Sequence, residues 1–216
     1  MSAESEVVTQ RHFDYIAART VRDDQFLEAL KAAAGAQGIP PIWISPEQAS
    51  LMQILLRLTG AREVVEVGTL AGYSAITMAR ALPRDGRVRT IELLPKHADF
   101  AERWIERSDV AGRIEVHRGA GADVLRGFAA DSADAAFLDA DKANYPTYLT
   151  EALRIVRKGG LVMVDNAFAF GQLFHDNPTD REANAVKAFN EVMAATRALQ
   201  SVIVPIGDGL WVASKL

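Results

Sequence analysis

One stretch of the 216-residue chain decides its fold class, Val64-Val65-Glu66-Val67-Gly68-Thr69-Leu70-Ala71-Gly72-Tyr73-Ser74. A run of β-branched residues ends at Gly68 and a helix-like run follows Gly72, which predicts a buried strand, a glycine turn and a helix N-terminus. Such turns bind nucleotide-like ligands in α/β sheets. The spacing Glu-x-Gly-x-x-x-Gly, however, lacks the second glycine of the dinucleotide fingerprint Gly-x-Gly-x-x-Gly. The carboxylate of Glu66 instead favours a ligand with an amino group and a ribose but no phosphate.

Strand and helix patterns alternate from residue 63 to the C-terminus. The strands are predicted at residues 64–67, 87–92, 113–117, 134–138, 160–164, 201–205 and 210–214. The helices are predicted between them, at residues 72–82, 95–107, 121–128, 144–156 and 180–197. Five alternations followed by two adjacent strands predict an α/β fold with a Rossmann-like, doubly wound and mostly parallel seven-stranded sheet that ends in an antiparallel hairpin. The hairpin turn is predicted at Gly207-Asp208-Gly209.

The first 60 residues predict an N-terminal helical extension, and residues 1–216 as a whole predict a single domain. Apolar residues recur at helical spacing in residues 23–34. Another helix is predicted to begin at Ser45, with Ser45 as the N-cap, Pro46 at the first helical position and Gln48 completing a capping box.

Composition restricts the class of protein. The formal net charge is −4, and no Lys/Arg run is present, which argues against a nucleic-acid partner. No apolar run approaches the roughly 18–20 residues that span a bilayer, and the polar residues 1–6 do not resemble a signal peptide. The chain has no cysteine, which excludes disulfides, thiolate catalysis and zinc–thiolate sites. We therefore expect a cytoplasmic protein without a membrane or nucleic-acid partner.

Acidic and amide side chains follow two predicted strands that should be neighbours. Asp139 begins the run Asp-Ala-Asp-Lys after one strand, and Asp165 and Asn166 follow the next. Because parallel strands end at the same edge of a sheet, these side chains can converge. Two carboxylates and an amide carbonyl suit Mg²⁺ or Ca²⁺. The alternatives are helix caps, loop acids or a salt bridge to Lys142.

Glu92 ends the second predicted strand, 24 residues after Gly68. An acid at this place can accept hydrogen bonds from both hydroxyls of a ribose. The alternative is an exposed acid that caps a helix.

Other chemistry finds less support in the sequence. The residues after Gly72 lack the final glycine of a nucleophile elbow, and no phosphate-binding loop occurs.

His97 and His117 are predicted at the surface. The loop 168–180 contains His175, a candidate for substrate contact. The tryptophans Trp43 and Trp211 are predicted in the core.

Four motifs occur in an order and spacing that resemble the metal-dependent class I O-methyltransferases, the family of caffeoyl-CoA and catechol O-methyltransferases. They are the glycine turn, the run 139–142, the pair Asp165-Asn166 and the hairpin turn 206–209. The resemblance covers residues 42–216. It implies a seven-stranded sheet with a closing hairpin, S-adenosylmethionine and Mg²⁺ (or Ca²⁺ or Mn²⁺) as cofactors, a small catechol-like substrate and a homodimer.

The resemblance also implies the role of each site residue. The cofactor would be held by Ile44, Glu66, Gly68, Thr69, Ser74, Glu92, Ala120, Gly121 and Asp139. Of these, Glu66, Gly68, Thr69 and Ser74 would lie at its methionine part, and Glu92 at its ribose. Ala120 and Gly121 would lie beside its adenine, and Ile44 would close over it through its backbone. The metal would be bound by Asp139, Asp165 and Asn166, and Lys142 would be the general base.

The free energies involved are compatible with this chemistry. A catechol hydroxyl has a pKa near that of tyrosine, about 10, so its deprotonation at pH 7 costs roughly 4 kcal/mol. A metal chelated by two adjacent oxygens can supply several kcal/mol of that, and the same cation would favour the neutral, proton-accepting form of Lys142.

One departure from the family pattern concerns the substrate. Catechol-specific enzymes carry a carboxylate before the last turn that holds the second hydroxyl, whereas residues 197–207 contain no acid. We therefore expect no narrow catechol specificity. The aromatic residues Phe168, Phe170 and Phe174 predict either a pocket for a phenolic substrate or a dimer surface.

Two other functions compete. An NAD(P)-dependent oxidoreductase would need the missing glycine and gives no reason for the acids at the strand ends to converge. A cofactor-binding protein without turnover is the second, and it is disfavoured because every polar position that the family expects is filled.

Overall fold

A computed structural model describes residues 8–175 and 180–216. The expectations for residues 1–6, and for Asn177 and Pro178 in the predicted loop, lie outside these ranges. The α-helices of the described part are α1 (Gln10–Ala17), α2 (Gln25–Ala36), α3 (Pro46–Leu58), α4 (Tyr73–Ala81), α5 (Pro95–Glu106), α6 (Gly121–Arg126), α7 (Tyr145–Ile155) and α8 (Arg181–Ala195). The strands are β1 (Glu63–Val67), β2 (Arg87–Glu92), β3 (Ile114–Arg118), β4 (Ala133–Leu138), β5 (Val156–Val164), β6 (Leu199–Val204) and β7 (Leu210–Lys215).

The strands form one sheet in the order β3-β2-β1-β4-β5-β7-β6. The first five strands are parallel, and β7 runs antiparallel to both β5 and β6. This confirms the predicted doubly wound sheet with its C-terminal hairpin. Because the strand order reverses between β1 and β4, the carboxyl ends of these two strands form the topological switch point, where ligands bind in this class of sheet.

Helices cover both faces of the sheet. Val64 packs on one face, in a cluster with residues of α2 to α5, and Val65 packs on the other face with residues of α7 and α8. Successive side chains of a strand point to opposite faces, so a parallel strand buried on both sides is a continuous apolar run. This is the physical origin of the β-branched run that ends at Gly68.

The N-terminal helices begin close to where the sequence predicts them. Asp24 caps α2, since its side chain accepts a hydrogen bond from Leu27 N. Ser45 caps α3 as predicted and accepts from Gln48 N at 3.2 Å, with Pro46 as the first helical residue. The predicted capping-box role of the Gln48 side chain is wrong, because its amide is hydrogen-bonded to Asp165.

Further predictions differ from the structure in detail. Strand β5 begins at Val156, four residues before the predicted start, because Val156 pairs with Ala133 across an irregularity in the register. Residues Ala169–Phe174 form a short 3-10 helix within the predicted loop, interrupted by positive φ angles at Phe170 and Gly171.

The burial predicted for the tryptophans and histidines agrees only in part with the structure. Trp211 lies in the core, as expected. The two histidines predicted at the surface are partly buried: the side chain of His97 is 12% exposed beside Glu92, and that of His117 is 25% exposed with its ring packed on Phe128. None of the helices in the described ranges is long and apolar enough to cross a membrane.

Candidate active site

The glycine turn and the first acid meet at the switch point. Gly68 N donates to Ile91 O at 3.0 Å, and Asp139 N donates to Val67 O at 2.9 Å, so β1 lies between the two segments. A Cβ atom placed on Gly68 would lie 1.8 Å from Asp139 O, and Gly68 has a φ of +107°. Only glycine therefore fits this position, and it brings the glycine turn against the acidic run.

Glu66 is buried completely and has one unused oxygen. Ser74 Oγ donates to Glu66 Oε1 at 2.5 Å. The other oxygen, Oε2, is buried and has no hydrogen-bond partner. Burial raises the pKa of Glu66 to about 8, against a partial lowering by the nearby hydroxyl groups of Ser74 and Thr90. A buried carboxylate oxygen without a partner is costly, so this site is incomplete without a donor or a cation.

Glu92 is held rigidly beside the same turn. Its Oε2 accepts from Leu70 N at 2.8 Å, and its Oε1 accepts from Leu94 N at 2.9 Å. The residue is only 7% exposed. This excludes the alternative of an exposed acid, and each oxygen keeps a lone pair for a further donor. Gly119 N donates to Glu92 O at 2.9 Å, which brings the start of α6 next to this carboxylate.

The remaining four predicted cofactor residues differ in their exposure and in whether their side chains are already engaged inside the fold. The hydroxyl of Thr69 is hydrogen-bonded to Thr90 Oγ1 at 2.6 Å, so it is already used inside the fold. Ile44 is buried in the core, and its side chain anchors the segment before α3. Ala120 is exposed at the N-cap of α6, and Gly121 is buried as the first residue of that helix.

Two of the three predicted metal ligands contact the amino group of Lys142. Lys142 Nζ lies 3.2 Å from Asp139 Oδ1 and 2.5 Å from Asn166 Oδ1. It also donates to Tyr145 Oη at 2.7 Å, and this hydroxyl donates to Asp165 O at 3.3 Å. The salt bridge that was an open alternative is thus present, with Asp139 as the partner. The oxygen set binds a positive charge, here that of a lysine.

Asp165, the third predicted ligand, is buried. Gln48 Nε2 donates to its Oδ1 at 2.7 Å. Burial first, and the charge of Asp139 second, raise the pKa of the Asp165 carboxyl above its usual range. Among residues 8–175 and 180–216, no three His, Cys, Asp or Glu side chains cluster as a metal site. The converging set consists of two carboxylates and the amide oxygen of Asn166.

Three residues of this site were not predicted to act there. Gln48 was assigned to a helix cap, Asp208 to a hairpin turn, and Tyr145 to no role. Asp208 Oδ2 accepts from Asn166 Nδ2 at 3.1 Å and from Phe170 N at 2.8 Å. No local pattern marks the contacts of Gln48 and Asp208, because they join distant segments of the chain.

Comparison with known proteins assigns the family. The model of the O-methyltransferase family matches residues 17–216. A protein named catechol O-methyltransferase from Niastella koreensis is 38% identical over 185 residues, which are 84% of this chain and 83% of the relative. Another of that name, from Mycobacterium tuberculosis, is 36% identical over 184 residues, or 85% and 83% of the two chains.

Solved structures agree with this assignment. The O-methyltransferase from Bacillus cereus in complex with SAH is 32% identical and superposes with a TM-score of 0.86, over 94% of this chain and 96% of that one. The chain therefore belongs to the class I O-methyltransferase family. It is an S-adenosylmethionine-dependent O-methyltransferase, as the resemblance in sequence implied.

Proposed function

We propose that this O-methyltransferase requires a divalent metal and methylates one hydroxyl of a small phenol with two adjacent hydroxyls. The observation that carries the proposal is the contact of Gly68 with Asp139, which joins the glycine turn to the oxygen set of Asp139, Asp165 and Asn166. A methyl donor at the turn and a chelated hydroxyl at the oxygens would then lie side by side. Alignment of this kind is the main requirement of a methyl transfer.

The residues around the turn fit S-adenosylmethionine. The unpartnered Glu66 Oε2 suits the amino group of the methionine part, and Ser74 holds the opposite oxygen in place. Glu92 offers two fixed carboxylate oxygens to the ribose hydroxyls. The bound cofactor supplies the methyl group from its sulfonium.

The backbone around this pocket completes the proposed cofactor site. The main chains of Gly68, Thr69 and Asp139 would line the methionine end. Ala120 and Gly121, next to Glu92, would border the adenine, and the buried Ile44 would bring its backbone over the cofactor.

The oxygen set fits a hard cation. Asp139, Asp165 and Asn166 would hold Mg²⁺, with Ca²⁺ and Mn²⁺ as alternatives, because these ions prefer carboxylate and amide oxygens. The fit is supported by the lysine ammonium that contacts two of these residues. It is also supported by the burial of Asp165 near the charge of Asp139, which together raise the pKa of Asp165. A bound metal ion supplies Lewis acidity that stabilises a deprotonated hydroxyl.

Lys142 is the proposed general base. Its Nζ lies at the oxygen set and is therefore within reach of a hydroxyl bound there. Tyr145 Oη, buried and hydrogen-bonded to the backbone of Asp165, holds the amino group from the other side. Lys142 would accept the proton of the hydroxyl at Nζ as the oxygen becomes the nucleophile.

Aromatic residues at the edge of the site support a phenolic substrate. The rings of Phe168 and Phe174 are 5.6 Å apart, and Phe170 and Phe174 are 67% and 74% exposed. Exposed aromatic side chains beside a polar site are typical of a ligand-binding surface. The relatives named catechol O-methyltransferase agree with this substrate class.

The proposal is tested by methyl transfer from labelled S-adenosylmethionine to a panel of simple catechols, with Mg²⁺ and with a chelator. We expect transfer with Mg²⁺ only, and none by Asp165→Ala. Transfer that survives chelation would remove the metal from the proposal. Cofactor binding without transfer to any catechol would favour the non-catalytic alternative, and binding of a nicotinamide cofactor instead would favour an oxidoreductase.

The organisation of the protein is also a proposal. We infer a single domain over residues 1–216, a homodimer, and a cytoplasmic location, from the sequence features and the family resemblance given above. Light scattering on the purified chain tests the dimer, since a monomeric mass at micromolar concentration would contradict it.

A further inference from the structure

The hairpin turn between β6 and β7 contacts the metal-binding strand end directly. Asp208 Oδ2 accepts one hydrogen bond from Asn166 Nδ2 and another from Phe170 N. Two backbone bonds run beside them, from Ala167 N to Gly209 O and from Phe168 N to Asp208 O, both 2.9 Å long. Four hydrogen bonds therefore attach the segment that follows β5 to this turn.

These bonds fix which way the amide of Asn166 faces. A side-chain amide has a donor end and an acceptor end. With Nδ2 bound to Asp208, Oδ1 faces the opposite way, where it lies 2.5 Å from Lys142 Nζ. The backbone of Asn166 has a φ of +62°, a conformation that non-glycine residues adopt uncommonly. The contacts of the turn hold both this backbone and the orientation of the side chain.

The same turn also packs against Gln48, the residue that orients Asp165. A Cβ atom on Gly207 would lie 2.3 Å from Gln48 Oε1. Gln48 is buried against this glycine and donates through Nε2 to Asp165 Oδ1 at 2.7 Å. Any side chain at position 207 would displace Gln48. Gly207 therefore leaves the room that Gln48 needs to hold Asp165 in place.

We propose that Asp208 is a positioning residue, which turns the carbonyl oxygen of Asn166 toward the cation site, and that Gly207 does the same for Asp165 through Gln48. The inference rests on the metal dependence proposed above. It gives the turn 206–209, which the sequence identifies only as a hairpin connection, a role in metal affinity. Groups that orient metal ligands typically change affinity by about 10- to 100-fold when they are removed.

The test is direct Mn²⁺ binding by the full-length protein, measured by electron paramagnetic resonance in Asp208→Ala and Asp208→Asn. We expect Asp208→Ala to bind Mn²⁺ about 10- to 100-fold more weakly. Asp208→Asn should bind nearly as well as the wild type, because the carbonyl oxygen of asparagine can accept both hydrogen bonds. The matched control is Asp85→Ala, which removes a charge from an exposed pair with Arg62 and should leave Mn²⁺ affinity unchanged.

Each outcome is decisive. Wild-type affinity in Asp208→Ala would overturn the positioning role while leaving metal dependence intact. Equal losses in Asp208→Asn and Asp208→Ala would overturn it as well, since charge rather than orientation would then be responsible. A wild-type protein that binds SAH but no Mn²⁺ would overturn the proposed metal dependence and this inference with it.

A double-mutant cycle tests the part of Gly207. Gly207→Ala and Gln48→Ala should each weaken Mn²⁺ binding, and the double variant should be no weaker than Gln48→Ala, because the clash disappears with the Gln48 side chain. Losses that multiply independently would show that Gly207 does not act through Gln48.

Discussion

The backbone of Gly68 lies against the carbonyl oxygen of Asp139, so closely that a single methyl group would not fit between them. The two residues belong to different strand ends, at the point where the strand order of the sheet reverses. The proposed methyl donor and the proposed metal are thereby placed on one packed unit. Their relative position depends on the core of the sheet and not on mobile loops.

Gly68→Ala is expected to destabilise the protein by at least about 3 kcal/mol, because the added methyl overlaps backbone atoms and the φ of +107° disfavours alanine. Urea unfolding measures the loss. Gly35→Ala is the matched control, since a Cβ there meets nothing within 4 Å in the last turn of α2. It should leave stability unchanged or raise it by up to about 0.5–1 kcal/mol, and similar effects of the two changes would contradict the packing argument.

The pH dependence of stability should report the buried Glu66. Its pKa in the folded protein, about 8, is above the ordinary value of a glutamate, 4.5. The folded state therefore keeps a proton that the unfolded state releases, and stability should fall as the pH rises from about 4.5 to 8, by up to about 1.4 kcal/mol per pH unit. Denaturant unfolding of the cofactor-free protein between pH 5 and 8 should show this slope, and Glu66→Gln should make it shallower, leaving the part due to Asp165, whose pKa is raised as well. Parallel pH profiles of the two proteins would contradict the assignment.

Cofactor binding should release a proton at pH 7. The amino group of the ligand is a cation, and it would require the ionised form of Glu66, which is mostly protonated at this pH in the free protein. Calorimetry of SAH binding in two buffers with different ionisation enthalpies should give close to one proton released. For Glu66→Gln we expect weaker binding and no release, and an unchanged proton count would place the amino group elsewhere.

Lys142→Met should separate the base from the metal site. Methyl transfer should fall by about 10²- to 10⁴-fold, the usual contribution of a general base. Mn²⁺ affinity should stay the same or rise, because the ammonium that contacts Asp139 and Asn166 no longer competes for their oxygens. A loss of Mn²⁺ affinity as large as the loss of rate would instead make Lys142 a support of the metal site.

The sequence predicts the parts of the site that follow strand ends, and misses the parts that support them. Glu66, Gly68 and Asp139 could be found because charge or glycine interrupts an apolar strand in each case, and parallel topology then brings the strand ends together. Gln48 could not be found in this way, because its partner Asp165 is 117 positions away and its local context is equally that of a helix cap.

The same limit applies to conformation and to side-chain burial. Asp208 has the sequence context of any hairpin turn, and only its contacts with Asn166 and Phe170 give it a further role. His97 is polar and follows a proline at a helix start, so its burial against Glu92 depends on the tertiary fold. The hydroxyl of Thr69 is likewise used by Thr90 on the neighbouring strand.

The decisive measurement compares methyl transfer to caffeate, which has two adjacent hydroxyls, with transfer to p-coumarate, which has one, each with Mg²⁺ and after chelation. If Asp139, Asp165 and Asn166 bind a metal that chelates the substrate, caffeate alone should be methylated. Chelation should abolish this transfer, and added Mg²⁺ should restore it. Equal transfer to p-coumarate, or transfer to caffeate that persists in the chelator, would contradict metal-dependent methylation of a vicinal diol.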